Sequence, residues 1–251
     1  MIYLILSLIG LAVGAIINVL ADDLPERHLP SLPHCHDDAC AHRYNPAGWL
    51  AILRWPIYRG RCPNCQTSER YRPIITELVT ATTLGVLPFF FTDLTELMIN
   101  AFYLCILILI IVIDIEHRLI LHVVTVPSTL IAILALSWLL PDNNMRLAAV
   151  GALTGFLFFY ILYWLGNRFY GAGALGFGDV TLSMTMGAML GFQFILPTLI
   201  MGILIGGIMS AVLLLTRIAN RSSYIPYGPF LAIAGMIMIL WGQPLMDWYF
   251  G

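Results

Sequence analysis

Stretches of about twenty apolar residues recur along this chain, and that recurrence limits what it can fold into more than any other feature. The hydrocarbon core of a bilayer takes roughly 20 helical residues to cross. Eight stretches approach that length, at about 1–20, 74–91, 96–114, 121–140, 147–166, 179–196, 198–216 and 227–248. The whole chain is 60% hydrophobic and 10% charged, with a mean hydropathy of +0.88, outside the range of a soluble domain. The expected class is an all-α polytopic membrane protein with about eight transmembrane helices. Met1–Leu20 lacks a basic leading region and a small-residue cleavage site, so it reads as a first membrane helix and not a removable signal.

One interval is too polar to cross. Residues 21–73 carry seven of the twelve arginines, and the chain has no lysine. Basic loops stay on the cytoplasmic side, which places this loop there. Alternation through eight spans then brings Arg118, Arg168, Arg217 and Arg221 to the same side and leaves only Arg146 opposite. A net charge of −2 gives no reason to expect a nucleic-acid partner. The expected division is a first helix over 1–20, a cytoplasmic loop domain over 21–73 and a seven-helix core over 74–251.

Two aspartates stand out against this apolar background. Asp114 closes the run Leu104–Ile113, and Asp179 follows Gly176-Phe-Gly at the head of another. An ionisable residue at the edge of a span is costly to place and marks a functional site by default. The topology above puts both at the cytoplasmic face, where two carboxyl groups sharing a site can work as acid and base. Asp114 sits at the C-terminal end of its helix and Asp179 at the N-terminal start of its own. On that basis Asp179 is expected to hold the charge and activate water, and Asp114 to hold the proton. The plainer alternatives are a helix N-cap for Asp179 and an interfacial Asp114 balanced by His117 or Arg118.

The polar loop holds Cys35, Cys40, Cys62 and Cys65 in a C-x4-C-x21-C-x2-C arrangement. Two cysteine pairs on one loop point to a tetrahedral zinc site, and His34, His36 and His42 are near enough to replace a thiolate. Four reduced thiols without a metal are the alternative. Glu77, at the opening of the second span, reads equally as a contact to substrate or loop and as an anion favoured by a helix start.

Several motifs together resemble the type IV prepilin peptidases. They are Leu175-Gly-Phe-Gly-Asp-Val180 with Gly187–Gly191, Ile113-Asp-Ile-Glu-His-Arg-Leu-Ile120, Ile225-Pro-Tyr-Gly-Pro-Phe230, Gly14–Pro25, and Arg59-Gly-Arg-Cys62. The resemblance spans nearly the whole chain in the family's order. It implies a membrane aspartic endopeptidase of the inner (plasma) membrane, embedded in lipid, that cuts the leader from prepilins and pseudopilins at the cytoplasmic face. Asp114 and Asp179 match the catalytic pair. It also implies N-methylation of the new terminus from S-adenosylmethionine, with peptidase activity alone as the alternative. The chain departs from the family's pattern at Asp23, at Thr181 and in the wider first cysteine gap. A proton-coupled transporter would instead need its carboxylates near mid-span. A thiol oxidoreductase would need its cysteines on the oxidising side of the membrane, against the arginine distribution.

Overall fold

The computed structural model describes residues 2–35, 37, 40, 42–139, 145–171, 175–217 and 226–250. His36, Arg221 and Ile225, which entered the reading above, lie outside them. Among the described residues the chain is helical throughout, and extended pairing is limited to the isolated bridges His34–Arg43 and Arg61–Ser68. The helices are α1 (Ile2–Asp23), α2 (Ala51–Ile57), α3 (Arg72–Val86), α4 (Leu94–His117), α5 (His122–Leu139), α6 (Met145–Tyr170), α7 (Phe177–Leu190), α8 (Phe192–Leu215) and α9 (Gly228–Phe250). Five segments are long and apolar enough to cross a membrane: Ile2–Asp23, Leu94–His117, Met145–Phe169, Phe192–Leu215 and Gly228–Asp247. Large apolar side chains stand exposed along them, such as Leu4, Leu8, Ile16, Ile200, Leu204 and Ile208, as a lipid-facing surface requires. The chain is a multi-pass membrane protein. The expected count of eight spans is not carried by helix length, because α3 has 15 residues and α7 has 14.

Two compact units divide the chain, residues 1–113 and 114–251. In the first, α1 and α3 run together along a seam of small residues. A Cβ added at Gly10 would fall 2.6 Å from Ala81 Cα, and one at Gly14 would fall 2.7 Å from Glu77 Cα. The amide of Asn18 donates to Pro73 O at 3.0 Å, tying the loop-side end of the seam. Between α1 and α3 the polar loop folds around a small polar core. Arg54 lies 4.3 Å from the Tyr44 ring centroid and donates to Glu69 at 3.0 Å, and Tyr44 Oη donates to the same carboxylate at 2.8 Å. Burial, and then Glu69, raise the Tyr44 phenol above its ordinary range.

In the second unit α7 is the central element, packed by α5, α6, α8 and α9. Ten of its fourteen residues are buried, which explains why its sequence is apolar or small on every face. Gly187 and Gly151 let the backbones of α7 and α6 touch, and any side chain at either would meet the other's carbonyl. Hydroxyls satisfy what remains: Thr185 Oγ1 lies 2.9 Å from Thr129 Oγ1 and donates to Thr125 O, while Ser183 donates to Gly155 O. The stretch expected as one helix over 179–196 ends at Leu190. Gly191, at φ 76°, breaks the chain there, and Pro197 is absorbed inside α8. Gly202 and Gly206 face Leu231 and Tyr227, whereas Gly207 meets open space.

Candidate active site

Asp114 lies in the last turn of α4, three residues before its end, and is 3% exposed. Its local chain supplies no partner, since the C-terminal end of a helix presents carbonyls and no N–H groups. The second unit supplies one from elsewhere: the Gly228 N–H, at the first residue of α9, faces the Asp114 carboxyl group. A glycine leaves room for this approach, because a Cβ at position 228 would fall 2.5 Å from Asp114 Oδ2 and the carboxyl group would have to shift. Oδ2 itself is buried without a hydrogen-bond partner among the described residues. Asp114 also forms no ion pair there, and its burial excludes the interfacial residue balanced by His117 or Arg118.

Asp179 is the third residue of α7 and 5% exposed. Gly176 is the N-cap, so the capping role suggested for Asp179 belongs to another position. The Gly176 backbone faces the Asp179 carboxyl group, and the Asp179 N–H donates to Gly176 O at 3.2 Å. The two carboxyl groups, 65 positions apart, are close enough for the charge of Asp114 to act on Asp179. Sequence reasoning gave them unequal roles because only one stands at the start of its own helix. With α9 starting against Asp114, each carboxyl group meets a helix N-terminus, and that basis for unequal roles disappears.

Tyr227 also belongs to this site. Its hydroxyl is buried and unpartnered among the described residues, and the charge of Asp179 reaches it. Its ring packs on Phe159 at 6.3 Å. The available signal was a tyrosine between two prolines at the head of an apolar run.

The four loop cysteines come together as expected, with all Sγ atoms within 4.8 Å of one another. Cys35 and Cys65 stand 3.5 Å apart, and Cys40 and Cys62 stand 3.8 Å apart. Zinc bound tetrahedrally by thiolates at about 2.3 Å places its sulfurs about 3.8 Å from one another, so this cluster fits it. The wide first gap closes through the His34–Arg43 bridge, where Cys35 N donates to His42 O at 2.8 Å. Burial pushes the Cys35 thiol up to about 12, whereas hydrogen bonding with Thr67 brings Cys65 down to about 6. His34 and His42 are outside the cluster. His34 binds Ser31 Oγ and approaches Asp23, and His42 packs edge-on against Tyr44.

Glu77 takes the loop-contacting role. It is fully buried and accepts the N–H groups of Ala51 at 2.6 Å and Ile52 at 2.9 Å. Those are the first two residues of α2, whose N-cap, Leu50, offers no side-chain acceptor. Two of the cavities among the described residues lie in the first unit, and Glu77 lines the smaller. One, of about 540 Å³, is lined mainly by apolar residues such as Ala12, Ile16, Leu20, Pro30 and Trp49. The other, of about 30 Å³, is polar and is lined by Asn18, His34, Arg54 and Glu77 among others.

A family model described as the type IV leader peptidase family matches residues 101–211, which include Asp114 and Asp179. A second, described as the bacterial peptidase A24 N-terminal domain, matches residues 8–91, which include the four cysteines. A protein of Aeromonas salmonicida named prepilin leader peptidase/N-methyltransferase is 30% identical over 226 residues, covering 89% of this chain and 77% of its own. Proteins of the same name from Pseudomonas aeruginosa and Legionella pneumophila are 27% and 29% identical. They cover 96% and 99% of this chain, and 91% and 94% of their own lengths. No solved structure matches the chain significantly.

Proposed function

The chain belongs to the type IV leader peptidase family, and we propose that it removes the leader of type IV prepilins and pseudopilins at the cytoplasmic face of the inner membrane, with Asp114 and Asp179 as its catalytic pair. The observation that carries this reading is two buried carboxyl groups within electrostatic reach, each facing a helix N-terminus. Like charges in so dry a site favour one shared proton over two ionised groups. The ionised member takes a proton from water as the water oxygen attacks the scissile carbonyl carbon. The protonated member then gives its proton to the leaving nitrogen as the carbon–nitrogen bond breaks. Backbone N–H groups at Gly176 and Gly228 hold the pair without bringing a competing cation. The arginine distribution supports the cytoplasmic orientation, and the leader of an uninserted substrate lies on that side.

Within this division of labour, residues 21–73 form the cytoplasmic metal-holding module and 74–251 carry the peptidase. Cys35, Cys40, Cys62 and Cys65 would hold a zinc ion, which supplies structure to a loop with little apolar core of its own. Methylation of the new N-terminus is proposed from the names of the relatives. Neither of the two cavities described above, among the described residues of the first unit, fits S-adenosylmethionine. The larger offers an apolar wall to its carboxylate, amine and ribose hydroxyls, and the smaller has room for little more than a water.

The test is incubation of a prepilin with wild type, Asp114→Asn and Asp179→Asn, with mass measurement of the product terminus. Wild type should release the leader and both variants should leave it intact. Cleavage by either variant at the wild-type rate contradicts the assignment. The same masses report methylation, so a cleaved but unmethylated product supports peptidase activity alone.

A further inference from the structure

The connector between α4 and α5 is only four residues long, 118–121. It turns sharply at Arg118, whose φ is 54° and whose N–H returns to Asp114 O at 3.0 Å. That turn presents Ile120 to the first turns of two other helices. At α7, a Cβ on Gly178 would fall 2.8 Å from Ile120 Cβ and 3.4 Å from its carbonyl oxygen. At α9, a Cβ on Gly228 would fall 3.0 Å from Ile120 Cδ1 and 2.5 Å from Asp114 Oδ2. Gly178 immediately precedes Asp179, and Gly228 carries the N–H that faces Asp114.

We infer that Ile120 is a positioning residue for the aspartate pair, a spacer seated on Gly178 at its Cβ end and on Gly228 at its Cδ1 end. The inference rests on the two-aspartate reading above. Asp114 Oδ2 accepts no hydrogen bond among the described residues, so the Gly228 N–H that faces the carboxyl group does not by itself fix where that oxygen stands. Packing must do so, and Ile120 Cδ1 crowds the same point above Gly228 as the carboxyl oxygen. A β-branched side chain suits the task, because its restricted χ1 makes it a stiff strut. Both motif glycines then have one further purpose, which is to admit this side chain. Pair geometry matters steeply, since a displacement of about 1 Å can cost on the order of a hundredfold in rate.

The variants separate the two ends of the strut. Ile120→Ala keeps Cβ against Gly178 and removes the contact at Gly228. Ile120→Val also loses the Cδ1 contact at Gly228 but keeps the branched, χ1-restricted stem, so it is the milder change. Gly178→Ala collides with Ile120 Cβ, so Ile120→Ala does not relieve it and Ile120→Gly does. Kinetics are measured on the full chain in detergent, with a synthetic prepilin containing the leader and the following apolar segment. Ile120→Ala is expected to lower kcat at least tenfold with KM within about twofold, and Ile120→Val to lie between it and wild type. Gly178→Ala is expected to be inactive alone and with Ile120→Ala, and to regain at least tenfold with Ile120→Gly. Wild-type kcat in Ile120→Ala overturns the inference, as does a loss confined to KM. Equal inactivity of Gly178→Ala in all three backgrounds overturns it too. If a glycine variant fails to fold, the order of kcat among Ile120, Val and Ala decides. Asp114→Asn and Asp179→Asn run in parallel: cleavage by either removes the two-aspartate reading itself. Inactivity of both, beside a fully active Ile120→Ala, removes only the spacer.

Discussion

Replacing Glu77 by alanine should unlock α2 from the rest of the first unit. The carboxylate is fully buried and accepts the N–H groups of Ala51 and Ile52, so it caps α2 from a residue 26 positions away. An intramolecular hydrogen bond contributes about 0.5–1.5 kcal/mol net, and a buried N–H left without its acceptor costs about 1–3 kcal/mol. Alanine removes both and leaves two N–H groups without an acceptor, costing about 3–5 kcal/mol in total once partial hydration is allowed. At about 1.4 kcal/mol per tenfold, amide exchange in α2 should accelerate roughly a hundredfold to a few thousandfold. Glu77→Gln keeps one acceptor oxygen and should lose about half of that energy. Hydrogen–deuterium exchange on fragments covering 51–57 measures this, with 180–189 in α7 as the internal reference. Unchanged protection in 51–57, or an equal loss in 180–189, would refute the capping argument.

Other consequences follow from the same packing. Serine at any one of Cys35, Cys40, Cys62 or Cys65 should lower bound zinc from about one per chain to a small fraction, read by elemental mass spectrometry. Stoichiometry unchanged in all four variants would exclude the cluster as the site. Gly187→Ala sets a side chain against the backbone of Gly151, where nothing flexible can yield, and should destabilise the second unit by several kcal/mol. Gly207→Ala, facing open space, should leave the melting temperature within about a degree of wild type.

The parts of this fold that could be read in advance are those whose physics is local. Long apolar runs announce helices, and a carboxylate at the end of one is conspicuous because lipid makes it costly, which is how Asp114 and Asp179 were found. Cys62 and Cys65 carry their chemistry in their spacing, and the wider gap before Cys40 closes through backbone pairing at His34 and Arg43. What stayed hidden depends on distant partners. Residue 228 reads as a turn glycine because nothing beside it records that Asp114 will stand against it. The break between α7 and α8 had two candidate breakers, Gly191 and Pro197, and local propensity cannot choose between them. The length of α7 misled for a related reason. A helix buried on all sides by its own protein is as apolar as one facing lipid, and only its neighbours tell the two apart.

The most direct test of two carboxyl groups acting as one unit is the rate of prepilin cleavage by Asp114→Asn, Asp179→Asn and the double variant. Groups that share a single proton and a single water are grossly non-additive. Either substitution alone should therefore bring cleavage to background, and the second should remove nothing more. If each variant instead keeps measurable activity and the double loses the product of the two factors, the carboxyl groups act independently and the shared site is wrong.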